Sequence, residues 1–284
     1  MLIEVKNLSH IYNEGLPYET YALKDVCLTI GQGEMVCIIG HTGSGKSTLV
    51  QHFNGLLKPT KGSVLADGRD INDKSPEAKL LRHRIGLVFQ YPEYQLFEET
   101  VIKDVCFGPA NLGVSEEECV KRAEKALELV GIDPKTQGDK SPFSLSGGQK
   151  RRVAIAGILA MQPEVLVLDE PAAGLDPVGK DSILDLIRTI RKERNMTIIL
   201  ISHNMDDVAE MADRVIVMDK GEVAFDGPAA EVFSHRAQLR SMGLSAPPAA
   251  EFMELVAAGG GSVSTDVLTI DDAAAELIRV YGKK

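Results

Sequence analysis

Residues 40–48 read Gly-His-Thr-Gly-Ser-Gly-Lys-Ser-Thr, a spacing suited to gripping phosphate. Gly40, Gly43 and Gly45 allow backbone N–H groups to turn inward around anionic oxygens, with His41, Thr42 and Ser44 between them. Lys46 has the charge and reach to meet β- and γ-phosphates, the Ser47 hydroxyl is a ligand for Mg²⁺, and Thr48 completes the motif. Residues 165–170, Val-Leu-Val-Leu-Asp-Glu, supply the acidic counterpart. Asp169 is placed to hold Mg²⁺, directly or through water, and Glu170 to act as general base on an attacking water. His203 follows an apolar run at 197–201 and has the chemistry to bond a γ-phosphate and orient that water. Gln90, after the run 85–89, is a candidate sensor of γ-phosphate or Mg²⁺. Taken singly, a His or Gln at a strand end means little, and a solvated acidic turn is the lesser alternative for the acidic pair alone.

A second phosphate-binding element stands at 145–151, Leu-Ser-Gly-Gly-Gln-Lys-Arg. Ser146 fits a helix N-cap, and Gly147 and Gly148 before Gln149 permit close backbone approach. A plain capped helix is the alternative. With one phosphate loop already in the chain, a second such segment has little use unless it covers a neighbour's nucleotide. The pair implies a head-to-tail dimer with ATP trapped at the joint.

These residues need strands to deliver them. Met35–Ile39 (Met-Val-Cys-Ile-Ile) is continuously apolar and ends in Gly, as a strand buried on both faces should be, and the segment from Gly45 on reads as a helix. Residues 85–89, 165–168 and 197–201 read as further buried strands, and 178–194 as the amphipathic helix between the last two. This strand–helix–strand order predicts a parallel sheet with right-handed crossovers. Residues 2–5 and 26–30 read as short strands of a separate N-terminal sheet, and 222–226 as the last strand. Between about 91 and 162 Pro and Gly punctuate the chain and 116–130 has a helical period, which predicts a helical subdomain inserted between core strands. From about 235 to 284 lies a small appendage with Ala-Pro-Pro at 246–248, Gly-Gly-Gly at 259–261 and two short helices at 249–257 and 271–280.

The 284 residues, 44% of them apolar, suffice for one large α/β domain (1–234) and this appendage (235–284), a plausible interface. A net charge of −10 counts against a general nucleic-acid binder. Four cysteines without paired or metal-like spacing fit a reduced cytosolic protein, with Cys37 a core residue. The opening Met-Leu-Ile-Glu-Val-Lys lacks a signal-peptide apolar block, and no run approaches the roughly 20 apolar residues that span a bilayer. Any membrane link is therefore expected to go through a partner.

Taken in order, the 40–48 loop, Gln90, 145–149, Asp169-Glu170, Ala-Gly-Leu-Asp at 173–176 and Ser202-His203 resemble the ATP-binding subunits of ABC transporters over roughly residues 1–235. The resemblance implies an α/β phosphate-loop NTPase core with an N-terminal antiparallel β subdomain, an inserted helical subdomain and an α-rich C-terminal appendage. It implies that 145–149 caps ATP on the opposite subunit, that Asp176 lies on a loop crossing the dimer joint, and that Tyr12 packs on adenine, with Tyr18 and Tyr21 nearby as rivals. Residues 88–113 and the insertion at 13–19 narrow the likeness to the ATPases of energy-coupling factor transporters, the insertion resembling the second ATPase of heterodimeric members. That implies ATP and Mg²⁺ as cofactors and a second ATPase, a transmembrane coupling subunit and a membrane substrate-binding subunit as partners. It also implies a place on the cytoplasmic face of the cell membrane, and vitamins or transition-metal ions as cargo. Ala172 departs from the family's usual Thr but replaces no catalytic group. A conventional importer ATPase and a soluble ATPase of the same superfamily are the rival readings. Leu96 and Phe97 read either as core contacts of the helical subdomain or as the wall of a groove for the coupling subunit.

Overall fold

The structure, a computed structural model, describes residues 2–282. Its strands are β1 (Ile3–Tyr12), β2 (Thr20–Ile30), β3 (Met35–Ile39), β4 (Lys61–Ala66), β5 (Arg69–Asp70), β6 (Ile85–Val88), β7 (Val165–Asp169), β8 (Thr197–Ile201), β9 (Arg214–Asp219) and β10 (Glu222–Pro228). Its helices are α1 (Lys46–Phe53), α2 (Pro76–His83), α3 (Val101–Asn111), α4 (Glu116–Leu129), α5 (Pro134–Gln137), α6 (Gly147–Ala160), α7 (Pro177–Arg194), α8 (Met205–Met211), α9 (Ala229–Ser234), α10 (Arg236–Ser241), α11 (Pro248–Ala258) and α12 (Ile270–Tyr281).

Every residue of β3, β7 and β8 is buried. Because side chains alternate across a strand, each apolar run feeds two cores. Met35, Cys37, Ile39, Leu166, Leu168, Ile198 and Leu200 point into a core shared with α3, α4, α6 and α7. Val36, Ile38, Val165, Val167, Ile199 and Ile201 point the other way, into a core shared with α1, β1, β2 and β4. Each such side chain contributes roughly 1.5–3 kcal/mol by leaving water. The sheet between the cores has the order β10-β9-β3-β8-β7-β6. From β9 to β6 it is parallel, and β10 adds antiparallel at the edge. The second sheet, β2-β1-β4-β5, is antiparallel.

The α/β class and the parallel sheet follow the sequence reading, and several boundaries do not. The N-terminal strands run well beyond 2–5 and 26–30, and β4, β5 and α2 have no counterpart in it. β6 stops at Val88, so Phe89 and Gln90 lie in the turn beyond the strand. The chain between β6 and β7 holds α3 to α6 and two 3₁₀ turns, Pro92–Gln95 and Pro142–Ser144. The main core continues through Leu239 and Leu244, and a separate small core of Ala249, Met253, Val267 and Ala273 joins α11 to α12.

Candidate active site

The order β3-β8-β7-β6 puts four carboxyl-terminal strand ends side by side. At ~4.8 Å per strand the row is about 15 Å wide, the scale of a nucleotide's phosphate chain and its catalytic groups. The row carries in turn the 40–48 loop, Ser202-His203, Asp169-Glu170 and Gln90. They border a cleft of about 620 Å³ lined by Gly40 to Gly43, Lys46, Ser47, Gln90, Asp169, Glu170, His203 and Met205.

Glycine is required at two points of the loop. A Cβ on Gly40 would stand 2.4 Å from the Met218 carbonyl oxygen, and one on Gly45 2.5 Å from that of Ala22. Gly45, at φ 102°, starts α1 with no side-chain cap and no acidic residue in the first turn. The first N–H groups of α1 are therefore left for an anion, where the helix dipole favours one. Lys46 folds over the loop, its Nζ donating to the carbonyls of Gly40 (2.7 Å) and His41 (2.9 Å). Burial pushes its pKa down, and the nearby Glu170 and Asp169 carboxylates oppose that shift. His41 is steered away from the cleft centre: its Nε2 meets Asp219 Oδ1 at 3.0 Å.

Asp169 is buried, which pushes its carboxyl pKa up; a hydrogen bond from Ser47 and the charge of Lys46 pull it back, and Glu170 raises it further. Among the described residues no group of three or more His, Cys, Asp or Glu is arranged to hold a metal. A hydroxyl plus one carboxylate is instead the donor set Mg²⁺ uses when phosphate oxygens and water complete its shell, so the pair fits that ion.

Glu170 sits in the left-handed region at φ 49°, a conformation rare for non-glycine residues and concentrated at functional sites. Two neighbours hold its carboxylate: Gln90 Nε2 donates to Oε2 at 2.9 Å, and His203 Nδ1 lies 3.0 Å from Oε1. Tyr91, next to Gln90, is also left-handed at φ 55°. Tyr12 ends β1 with its hydroxyl 3.3 Å from Thr48 Oγ1; Tyr18 and Tyr21 lie more exposed in and after the 13–19 loop.

The remaining candidates stand outside this cleft. Ser146 caps α6, accepting from Gln149 N at 3.3 Å, while Ser146 N donates to Gln149 Oε1 at 3.0 Å, a reciprocal capping box. A Cβ on Gly147 or Gly148 would meet nothing within 4 Å. Neither has a positive φ, and glycine inside a helix costs about 1 kcal/mol relative to alanine. Among the described residues no close contact at either position accounts for them. Asp176 caps α7, accepting from Gly179 N at 2.8 Å.

Sequence reasoning missed two features. Gly243, Leu244 and Ser245 line the cleft from the far end of the chain, with no motif to announce them. Arg151 is 2% exposed, although it stands in a Lys-Arg-Arg run. Leu96 and Phe97 both line one apolar groove but differ in burial. Leu96 is buried in the main core, whereas Phe97 is exposed and packs edge-on against Phe107 at 4.9 Å. Phe97 and Phe107 border an apolar groove of about 370 Å³ with Met161.

A protein-family profile described as ABC transporter matches residues 23–173. Curated relatives include an energy-coupling factor transporter ATP-binding protein, EcfA2, of Clostridium tetani, 53% identical over 100% of this chain and 99% of its own. The protein of that name from Caldanaerobacter subterraneus is 55% identical over 98% of this chain and 97% of its own. Among solved structures, cbiO1 of Clostridium perfringens, described as part of the ABC transporter complex cbiONQ, superposes with a TM-score of 0.72. It is 44% identical, over 84% of this chain and 93% of its own. An ATP-binding cassette solved as a dimer in a post-hydrolysis state with ADP and phosphate gives 0.70 at 33% identity, over 80% of this chain and 98% of its own.

Proposed function

The chain belongs to the ABC transporter family, among the ATP-binding subunits of energy-coupling factor transporters, and is an ATPase coupled to transport; from that premise we propose the residues and partners with which it works. The 40–48 loop and the start of α1 bind the phosphates of ATP, with Lys46 turning from its loop carbonyls to the β- and γ-oxygens. Ser47 and Asp169 would hold Mg²⁺, which would supply positive charge to the phosphate oxygens. Glu170 is the general base, and Gln90 and His203 fix its carboxylate so that one lone pair faces the attacking water. Tyr12 stacks on adenine. The observation that carries this reading is the doubly held Glu170 carboxylate at the mouth of the phosphate cleft.

Ser146, Gly147, Gly148 and Gln149 serve in trans, closing over the nucleotide of a second ATPase subunit, with Asp176 beside the joint. The open space around the two glycines supports this. Closure completes the site, and reopening after hydrolysis resets the partner, a ligand-driven rigid-body cycle. No helix among the described residues is long and apolar enough to cross a membrane. The likeness to energy-coupling factor ATPases supports attachment to the cytoplasmic face through a transmembrane coupling subunit, beside a substrate-binding membrane subunit that selects a vitamin or transition-metal ion.

Replacing Glu170 tests the assignment. Glu170→Gln should leave affinity for an ATP analogue near native and cut phosphate release by about 10²–10⁴-fold. Native turnover in this variant would remove Glu170 from the role.

A further inference from the structure

We infer that Arg151 is a positioning residue for hydrolysis, clamping the turn that carries Gln90 to the segment that follows Glu170; this rests on the reading of Glu170 as base. Arg151 stands on α6, just after the Ser146–Gln149 cap. Its guanidinium grips Glu93 with both arms, Nη2 to Oε1 at 2.7 Å and Nε to Oε2 at 3.0 Å. Its Nη1 donates to the carbonyls of Pro171 and Ala173, each at 2.9 Å. Its Cζ lies 6.0 Å from the centre of the Tyr91 ring.

These contacts join three functional segments. Glu93 belongs to the 3₁₀ turn Pro92–Gln95, three residues after Gln90 and shortly before Phe97 at the apolar groove. Pro171 follows Glu170 directly, and both Glu170 and Tyr91 hold left-handed backbones that need support from outside. A cation almost wholly removed from water is costly unless each donor is satisfied, and here four of its hydrogen bonds reach two segments distant in sequence. Burial raises the Glu93 pKa, and the bonds and charge of Arg151 together with a backbone hydrogen bond at Glu93 more than reverse that, so the carboxylate is held below the usual range. The Gln90–Glu170 hydrogen bond therefore spans two loops whose spacing Arg151 sets. A shift of the turn at the groove pulls on Glu170 through this fork.

A lysine cannot reproduce the fork, because it is a point charge with no planar pair of donors. In the full chain assembled with its partners, Arg151→Lys should stay folded with a lowered melting temperature, keep nucleotide affinity near native and lower kcat at least tenfold. Glu93→Gln, which breaks the clamp from the other side, should do the same. The deciding comparison places Arg151→Lys in the Glu170→Gln background. If Arg151 acts through Glu170, residual turnover there does not fall further. An equal proportional loss in both backgrounds, or native kcat in Arg151→Lys, would overturn the inference while leaving the base assignment intact. Native turnover of Glu170→Gln alone would remove the base assignment and the inference with it. Loss of folding and of nucleotide binding in both clamp variants would show a structural staple, and would also overturn it.

Discussion

Asp169 and Lys46 occupy one cleft and are pushed in opposite directions by burial, the acid up and the amine down. On the proposed reading both are charged when MgATP binds, so the working window narrows from both sides. As pH falls, Asp169 takes up a proton earlier than an ordinary aspartate and weakens its hold on the cation. As pH rises, Lys46 gives up its proton earlier than an ordinary lysine and weakens its hold on phosphate. MgATP affinity measured against pH should decline on both flanks, the acid flank above the usual aspartate range and the alkaline flank below the usual lysine range. Asp169→Asn should remove the acid flank; flanks at the ordinary values would contradict the burial argument. The chemistry-bearing residues of this cleft were readable because each follows an apolar strand whose end is fixed by the sheet. The partners they choose were not. His203 and Gln90 both bond Glu170, and a residue type after a strand does not encode which neighbour its side chain meets. Arg151 was opaque for a related reason: its burial depends on Glu93 and two carbonyls supplied by distant segments.

At the scale of elements, continuous apolar runs announced β3, β7 and β8, because strands buried on both faces carry no polar residue. β4 and β5 are short and partly exposed, and α2, though amphipathic, is only 8 residues long, too short for its period to stand out. The α6 amino terminus is exposed, caps itself and has room around its glycines. Ser146→Arg should therefore leave ATP binding by the isolated chain nearly intact and reduce hydrolysis in the assembled pair, read by titration and by phosphate release. Collapse of affinity in the isolated chain would place this element in cis. The segment after the Gln90 turn divides in the same manner. Leu96→Ala, which empties a core site, should lower stability by about 2–5 kcal/mol. Phe97→Ala should cost at most about 1.5 kcal/mol from its aromatic pair while reducing co-purification with membrane subunits. A Phe97 variant that assembles normally would remove this groove from docking.

At the scale of the whole molecule, the catalytic groups and the α6 cap face outward at separate places on one chain. A single copy brings a glycine-rich loop, the Ser47–Asp169 pair and the doubly held Glu170 carboxylate to one cleft, and presents the glycine-rich α6 cap elsewhere. The appendage adds exposed Phe252, Leu255, Ile278 and Tyr281 on α11 and α12, apolar surface that composition alone did not locate. These features converge on the central claim that the chain hydrolyses ATP as one of a pair attached to membrane subunits. Native mass spectrometry of the detergent-solubilised complex, carrying Glu170→Gln to hold the closed form, tests this most directly. The account predicts two ATPase subunits with two bound nucleotides, together with transmembrane subunits. A species containing one ATPase chain, its nucleotide bound and no membrane subunit attached, would contradict it.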